Sequence, residues 1–541
     1  MKDISSTGSF VDFTLENFIY VDKTVYIPQL VKLKRVFISR PRRFGKSLTL
    51  DTIATLFETG VEPYFKGTWI YDKWTEPTYP VLRLNFLDLD KYSLEHFKQK
   101  LNAIISSFAR DINVKNYEEK VEPEDTIYFL LDELRKEKRQ IVILIDEYDC
   151  QMTANINNET LYKQFQEKIK SFYANIKDKF AIKFLGITGV TRLKDVAIFS
   201  VGSDIRDITN ASAYSQMIGF TRDEIKRYYI DYLTLSASYE NKCRVEEVTD
   251  TQIESMLDMM AQNYDGYCFD EDYEKKVFST WSVNTFFQTM IEKKKVQFGE
   301  YWYDNGGLPS ILVNYLKTHE LNIFEYLDKD KFLKVSSDDF KNPTALTTIN
   351  QNVLMCQTGY LTLRSDLNKT STVALGIPNG EIYKALNRLL ANNIFKGNTD
   401  ITDDYGRSLL EVGTVDDIIN LFNSALNSVS YDNYPIVSES SVQNMLKLYL
   451  LGAHQEVLSE VHEAKGRADL VVNTDNRRIV FEFKYAKNEA EAKSKLSEAV
   501  EQIKTRDYGN ILPKKNELIR IAAVFNADPK VRAFTENQIV P

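Results

Sequence analysis

Cysteine is scarce and scattered. The four cysteines, Cys150, Cys243, Cys268 and Cys356, form no CxxC pair, which excludes a disulfide framework and a thiolate zinc site of ordinary spacing. The four histidines, His96, His319, His454 and His462, show no metal-ligand spacing either and read as surface or packing residues. No apolar run approaches membrane-spanning length; the longest, such as Ile141 to Ile145, are strand-sized. The opening MKDISSTGSF lacks the basic start and apolar stretch of a secretory signal, so a cytoplasmic protein with no membrane association is expected. No internal repeat or low-complexity tract is visible. An excess of positive charge is also missing. The net charge of −9 argues against a protein that coats nucleic acid through its overall field. Acids and bases nearly balance from Ile436 onward, so the deficit lies upstream.

What is present is an ordinary globular composition, 43% hydrophobic and 27% charged, over 541 residues, enough for several domains. Through residue 220, short apolar runs alternate with longer helical patterns, which predicts a parallel sheet with crossover helices. The strand candidates are Val36 to Ser39, Val81 to Phe86, Ile141 to Ile145 and Ile182 to Ile187. Helical patterning then dominates from Thr221, whose Thr221-x-x-Glu224 spacing is that of a capping box. Tyr360 to Leu363 reads as a strand and Asn379 to Asn393 as an amphipathic helix, and the polar stretch Gly397 to Gly406 reads as a linker. The last part reads as a helix from Ser438 to Leu451, a hairpin, and a helix from Glu489 to Thr505. The expected domains are 1–220, 221–375, 376–435 and 436–541.

The segment from Val36 to Ser47 runs from a strand through a loop into a helix and ends in Gly45-Lys46-Ser47. Gly45 permits close backbone approach to phosphate, Lys46 reaches the β and γ phosphates, and Ser47 holds Mg²⁺ through its hydroxyl. Arg40 stands where a P-loop usually begins with glycine. A second apolar strand ends in Asp146 and Glu147. It delivers Asp146 to the carboxyl edge of the sheet, to orient the Mg²⁺ shell, and Glu147 to polarise the attacking water. A third strand ends at Thr188, placed to sense the γ-phosphate, with Arg192 four residues on as a second phosphate ligand.

Arg40-Pro-Arg-Arg-Phe-Gly-Lys-Ser-Leu48 resembles the P-loop of the bacterial AAA-ATPase-like family. Tyr20-Val-Asp-Lys-Thr24, Gly219-Phe-Thr221, Tyr264-Asp-Gly-Tyr267, Trp281-Ser-Val283 and Tyr301-Trp-Tyr303 with Gly306-Gly307 resemble that family's other landmarks in order. The resemblance implies an ATP-binding loop that includes Arg40 and Arg43, since arginine at the first position is usual there. It also implies a P-loop core with a helical lid, a winged helix being its alternative form. A PD-(D/E)XK nuclease-like domain commonly follows.

The C-terminal residues support such a domain on their own terms. Gly466 to Val472 and Ile479 to Lys484 read as strands around a tight turn with Asp475-Asn476 at its tip, both tolerant of positive φ. Partners across this hairpin sum to 951 in residue number, which sets Asp469 opposite Glu482. Two facing carboxylates repel unless a cation neutralises them. Lys484 shares the face of Glu482, while Phe481 and Phe483 point the other way. This is the Asp…Glu-x-Lys constellation of PD-(D/E)XK nucleases: Asp469, Glu482 and the Phe483 carbonyl are ligands for Mg²⁺ or Mn²⁺, and Lys484 orients water or phosphate. The resemblance implies a further acid on the preceding helix, Glu439, and substrate contacts from Gln502 and Tyr508.

These readings predict an α/β protein with a P-loop parallel-sheet core, a helical lid and a restriction-endonuclease-like domain. Its function is expected to be ATP binding and hydrolysis coupled to metal-dependent cleavage of DNA or RNA. The alternatives are an ATP-driven switch whose C-terminal domain binds without cutting, and a homo-oligomeric scaffold reset by slow hydrolysis.

Overall fold

The computed structural model describes the chain except residues 177–179, 194–204, 305–309, 317–322, 344, 347, 370, 396–405, 454, 464–465 and 510–516. The expected linker at Gly397 to Gly406, all but its last residue, and the Gly306-Gly307 landmark therefore lie outside the described residues. The chain divides into two compact units, one of Met1–Leu321 with Asp330–Ile382, the other of Asn322–Lys329 with Tyr383–Pro541.

The first unit is built on five parallel strands: β1 Arg35–Ser39, β2 Val81–Asn85, β3 Ile141–Asp146, β4 Ile182–Gly189 and β5 Arg206–Asp207. They lie in the order β2-β3-β4-β1-β5. The interior strands read as continuous Val, Ile and Leu because both faces are covered, and Ile141 to Leu144 are all buried. β2 stops one residue short of the expected Phe86. The Asn85 side chain accepts the Leu87 N–H at 3.1 Å and turns the chain into a short 3₁₀ segment, Phe86–Asp88. The strand that bears Thr188 lies between the P-loop strand and the acid strand, so the carboxyl ends of all three converge.

The helical region opens at Arg222–Tyr228 with the expected capping box: Thr221 Oγ1 accepts the Glu224 N–H at 3.2 Å, and Glu224 accepts the Thr221 N–H at 2.8 Å. The helices Ile230–Asn241, Asp250–Tyr264 and Thr280–Lys293 share a core of Leu233, Met256, Leu257, Met260, Phe286 and Phe287. A small antiparallel sheet follows, of β6 Leu333–Ser336, β7 Thr362–Leu363 and β8 Thr372–Gly376 in the order β6-β8-β7, with two short helices between β6 and β7.

The second unit carries β9 Glu456–Glu463, β10 Gly466–Asn473, β11 Arg477–Ala486, β12 Glu517–Asn526 and β13 Ala533–Ile539, in the order β13-β12-β11-β10-β9. Only β11 and β12 run parallel; the other neighbours are antiparallel. The crossover between β11 and β12 contains the helix Glu489–Arg506, which packs on both strands. Phe481 and Phe483 stack with centroids 5.5 Å apart and meet Phe422 and Phe534 on one face. Helix Glu439–Gly452 packs against β9, β10 and β11. The β10–β11 ladder has the expected register, Leu470 opposite Phe481 and Asn473 opposite Arg478. Its turn differs from expectation: neither Asp475 nor Asn476 is at positive φ. Thr474 closes the turn instead, donating its N–H to Arg477 O at 2.8 Å and accepting the Arg477 N–H on its hydroxyl at 3.0 Å. Among the described residues no helix is long and apolar enough to cross a membrane.

Candidate functional site

Each unit carries one constellation. In the first, β1 ends at Ser39 and the loop turns through two positive-φ residues, Arg43 (φ 67°) and Gly45 (φ 101°), before the helix Lys46–Thr59. Phe44 anchors the loop between them: it is buried, and its ring lies edge-on to Tyr267 at 4.7 Å and Phe269 at 5.6 Å. Helix-region side chains hold the loop's carbonyls. Thr280 Oγ1 donates to Arg43 O at 2.9 Å and Trp302 Nε1 to Arg42 O at 3.3 Å.

Inside the loop the buried Lys46 ammonium donates to Arg40 O at 3.2 Å and Pro41 O at 3.3 Å, and lies 3.4 Å from Glu147 Oε1. Ser47 Oγ donates to Asp146 Oδ2 at 2.5 Å. Thr188 Oγ1 donates to the other Asp146 oxygen, Oδ1, which also accepts the Glu147 N–H at 3.0 Å. Glu147 sits at φ 51°, a conformation that turns its carboxylate back toward the loop. Arg42, Arg43, Lys46, Ser47 and Glu147 border one cavity of about 350 Å³. Backbone amides at a helix N-terminus, a lysine, and a hydroxyl–carboxylate pair suit a polyphosphate with its divalent cation.

Two expected phosphate ligands are placed elsewhere. Arg40 is buried and donates to the carbonyls of Ser39 at 2.9 Å and Thr209 at 2.6 Å, with its guanidinium 4.1 Å over the Phe269 ring. Burial pushes its pKa down to about 9. It splints the loop to the segment after β5. Arg192 is ion-paired with Asp207, and its backbone N–H and C=O bond the Gln357 amide at 3.2 and 3.3 Å. Arg43 borders the cavity but lays its guanidinium 4.3 Å over Trp281. Asp149 escaped the sequence reading. It is buried, accepts from Thr191 N–H at 2.7 Å and Val190 N–H at 3.3 Å, and so ties the ends of β3 and β4 together. Burial, then the neighbouring Glu147 charge, raises its pKa.

In the second unit, Glu439 begins its helix, Asp469 sits in β10, and Glu482 and Lys484 lie two apart on β11. Carboxylate oxygens of Glu439, Asp469 and Glu482 all fall within 4.8 Å of one another. Asp469 Oδ2 accepts the Phe483 N–H at 2.8 Å, so the acid caps a strand amide. The Lys484 ammonium lies 2.8 Å from Glu482 Oε1, 3.3 Å from Glu439 Oε1 and 3.1 Å from Phe483 O, so the expected carbonyl ligand is engaged by the lysine. Glu482 is 0% exposed, and its second oxygen, Oε2, is buried with no hydrogen-bond partner. Burial, then the Asp469 charge, pushes its pKa up to about 7. Buried polar atoms are nearly always satisfied. An orphaned carboxylate oxygen beside two further acids is a donor set of hard oxygens that fits Mg²⁺ or Mn²⁺.

Gln502 and Tyr508 are brought together: Gln502 Nε2 donates to the Tyr508 hydroxyl at 3.3 Å. Tyr508 is buried among Ala468, Val471 and Val480, while its hydroxyl also accepts from Arg506 Nη1 at 2.8 Å. Arg506 and Gln443 were missed in the sequence. The Tyr508 hydroxyl first, then the charges of Glu482 and Asp469, raise the Arg506 pKa, so the guanidinium lies within the field of the acids. Gln443 donates to Asp469 O. Gln443 follows Glu439 by four, and Arg506 follows Gln502 by four, so helical spacing was the available signal.

Comparison with known proteins agrees with this division. Residues 5–199 match the family model described as "AAA-ATPase_like: Predicted AAA-ATPase". Residues 437–535 match that of the PD-(D/E)XK nuclease superfamily. Over 532 residues the chain is 26% identical to an "Uncharacterized protein in vnfD 5'region" of Azotobacter chroococcum mcd 1, covering 95% of this chain and 94% of that one. Among solved structures, the Walker-type ATPase PABY2304 of Pyrococcus abyssi is similar at 11% identity and a TM-score of 0.35, over 67% of this chain and 94% of that one. The Aeropyrum pernix ORC1 protein in complex with DNA is similar at 10% identity and a TM-score of 0.27, over 69% and 95%.

Proposed function

We propose, with an AAA-ATPase-like segment and a PD-(D/E)XK nuclease superfamily segment in one chain as the premise, that the protein binds and hydrolyses ATP and cleaves phosphodiester bonds of DNA or RNA, the nucleotide state setting the cleavage rate. The observation that carries the nuclease half is the orphaned Glu482 oxygen within the cluster of Glu439, Asp469 and Glu482. A divalent cation held there supplies Lewis acidity that offsets charge developing on the phosphate. The chain's own groups then have defined roles. Asp469 is oriented by the Phe483 N–H, and Lys484 donates to the attacking water or to a phosphate oxygen. Gln502, held by the buried Tyr508 hydroxyl, would supply the contact to substrate, with Tyr508 positioning it.

In the ATPase half, Lys46 exchanges its carbonyl partners and Glu147 for β- and γ-phosphate oxygens. That exchange releases Glu147 to polarise water for in-line attack. Ser47 and Asp146 hold Mg²⁺, and Thr188, already on Asp146, reports the γ-phosphate.

The test is cleavage of single- and double-stranded DNA and RNA by the full chain, in Mg²⁺ or Mn²⁺, with and without ATP. Metal-dependent cleavage that is lost in Glu482→Gln and altered in rate by Lys46→Ala is expected. No cleavage of any of the four substrates, with ATP binding intact, would replace this reading by that of a switch that binds without cutting.

A further inference from the structure

A cavity of about 760 Å³ opens in the first unit at the amino ends of the parallel strands. Arg35 begins β1, Ile182 and Lys183 begin β4, and Gln140 immediately precedes β3. The strands are parallel, so this is the edge opposite the P-loop. The wall contributes five cations: Lys32, Lys34, Arg35, Lys73 and Lys183. The one carboxylate among its described lining residues, Glu76, is 2.7 Å from Lys183 and neutralises that lysine alone. A cluster of this sign is unexpected on a chain of net charge −9.

The ammonium groups of Lys32 and Lys34, both exposed, make no hydrogen bond or ion pair among the described residues. Lys34 ends the preceding helix at φ 64°, which holds it at the rim rather than along the helix. Phe180, in the same wall, is 64% exposed. Free cations and an exposed ring together call for a ligand with anionic oxygens and flat apolar faces. A phosphate chain alone would leave the ring unused, whereas a nucleic-acid strand carries a phosphate and a flat base in every residue.

We infer that this cavity binds a single-stranded stretch of nucleic acid, its phosphates on Lys32, Lys34 and Arg35 and a base on Phe180. Single strands are held in this way, by a basic groove with aromatic platforms. The site is distinct from both constellations described above and requires neither ATP hydrolysis nor cleavage.

The experiment uses the full chain in EDTA, so that cleavage is suppressed, and reads fluorescence anisotropy of a labelled oligo-dT strand across a salt series. Lys32→Ala/Lys34→Ala removes two phosphate contacts. It should lower the slope of log affinity against log salt by about 1.4 and weaken binding roughly tenfold or more at low salt. Phe180→Ala should weaken oligo-dT binding about fivefold and leave binding of inorganic polyphosphate unchanged. ATP affinity, unaltered in all variants, reports that the unit remains folded. An unchanged affinity and salt slope in the double variant would overturn the site. An oligo-dT affinity indifferent to Phe180→Ala would overturn the nucleic-acid assignment in favour of a bare phosphate chain. Duplex DNA bound as tightly, with the same dependence on the two lysines, would overturn the single-strand assignment. Because binding is read without metal, absence of cleavage elsewhere leaves each of these outcomes intact.

Discussion

The Lys484 ammonium lies 2.8 Å from Glu482 Oε1, two residues back on the same strand, and both side chains are buried. The pair does not neutralise the site. Burial and the Asp469 charge still push Glu482 up to about 7, against the opposing pull of Lys484. Lys484 is the cation in contact with Glu482 and Glu439, and one oxygen of Glu482 has no hydrogen-bond partner.

That imbalance gives a pH dependence. The unfolded carboxyl titrates near 4.5, the folded one near 7. Between those values the folded state holds more protons than the unfolded chain, so this group removes stability as pH rises through the window, and the loss is complete above about 7. A divalent cation binds the ionised form. The rise in Tm on adding Mn²⁺ should therefore be larger near pH 8 than near pH 6. A metal response that is flat or falls over this range contradicts the assignment of Glu482 as a ligand.

The P-loop gives a second expectation. Lys46→Ala should weaken ATP binding by roughly tenfold to a hundredfold, the worth of charged hydrogen bonds. Glu147→Gln keeps the shape and removes the base, so it should retain binding while slowing hydrolysis by about a hundredfold or more. It also breaks the 3.4 Å pair with Lys46. Isothermal titration calorimetry and phosphate release separate the two effects. Equal loss of binding in both variants would assign Glu147 to the architecture of the loop.

The parts of this protein that were legible in its sequence are those in which local pattern and chemistry coincide. The apolar run into Asp146 fixes a strand and a carboxylate together; the position of the Asp475-Asn476 tip gives the register of the hairpin, and the alternation through Phe481 to Lys484 gives its faces. Arg40 shows where such reading stops. Its position in the motif suggests a phosphate ligand, yet its guanidinium is taken up by Thr209 O, a partner far along the chain. Arg192 is diverted by Asp207 in the same way. Asp149, two residues beyond the recognisable Asp146-Glu147 pair, joins two strand ends through contacts that no local spacing encodes. The hairpin turn failed for a different reason: a threonine hydroxyl closes it, and residue preference at the tip does not register that option.

Gly189 tests the strand junction beneath the P-loop. A methyl group there would meet the Tyr148 ring at 2.4 Å and Asp149 Oδ1 at 2.8 Å. Tyr148 is buried and cannot swing out. Gly189→Ala should cost about 1–3 kcal/mol as an overpacked core does, read as a fall in the denaturant midpoint, and should weaken ATP binding through Thr188. Wild-type stability would show the junction to be looser than described.

Arg506 offers a test of substrate contact apart from the metal. Its side chain passes Gly466 so closely that an added methyl would lie 2.4 Å from its Cδ. If the proposed cleavage takes place at the acid cluster, both Arg506→Ala and Gly466→Ala should weaken nucleic-acid binding there and raise KM, while the Mn²⁺ affinity stays within about twofold of wild type, since arginine donates and does not ligate. A parallel loss of metal affinity would make Arg506 a structural support of the acids instead.

The most direct test of the central claim is Mn²⁺ binding to the nucleotide-free full chain, measured by calorimetry at about pH 8, for the wild type and for Asp469→Asn and Glu482→Gln. The account predicts that each substitution removes the same binding event and that Lys484→Ala keeps it. Mn²⁺ binding that is absent in the wild type, or unchanged in both acid variants, would contradict it and leave the cluster of Glu439, Asp469 and Glu482 without a metal.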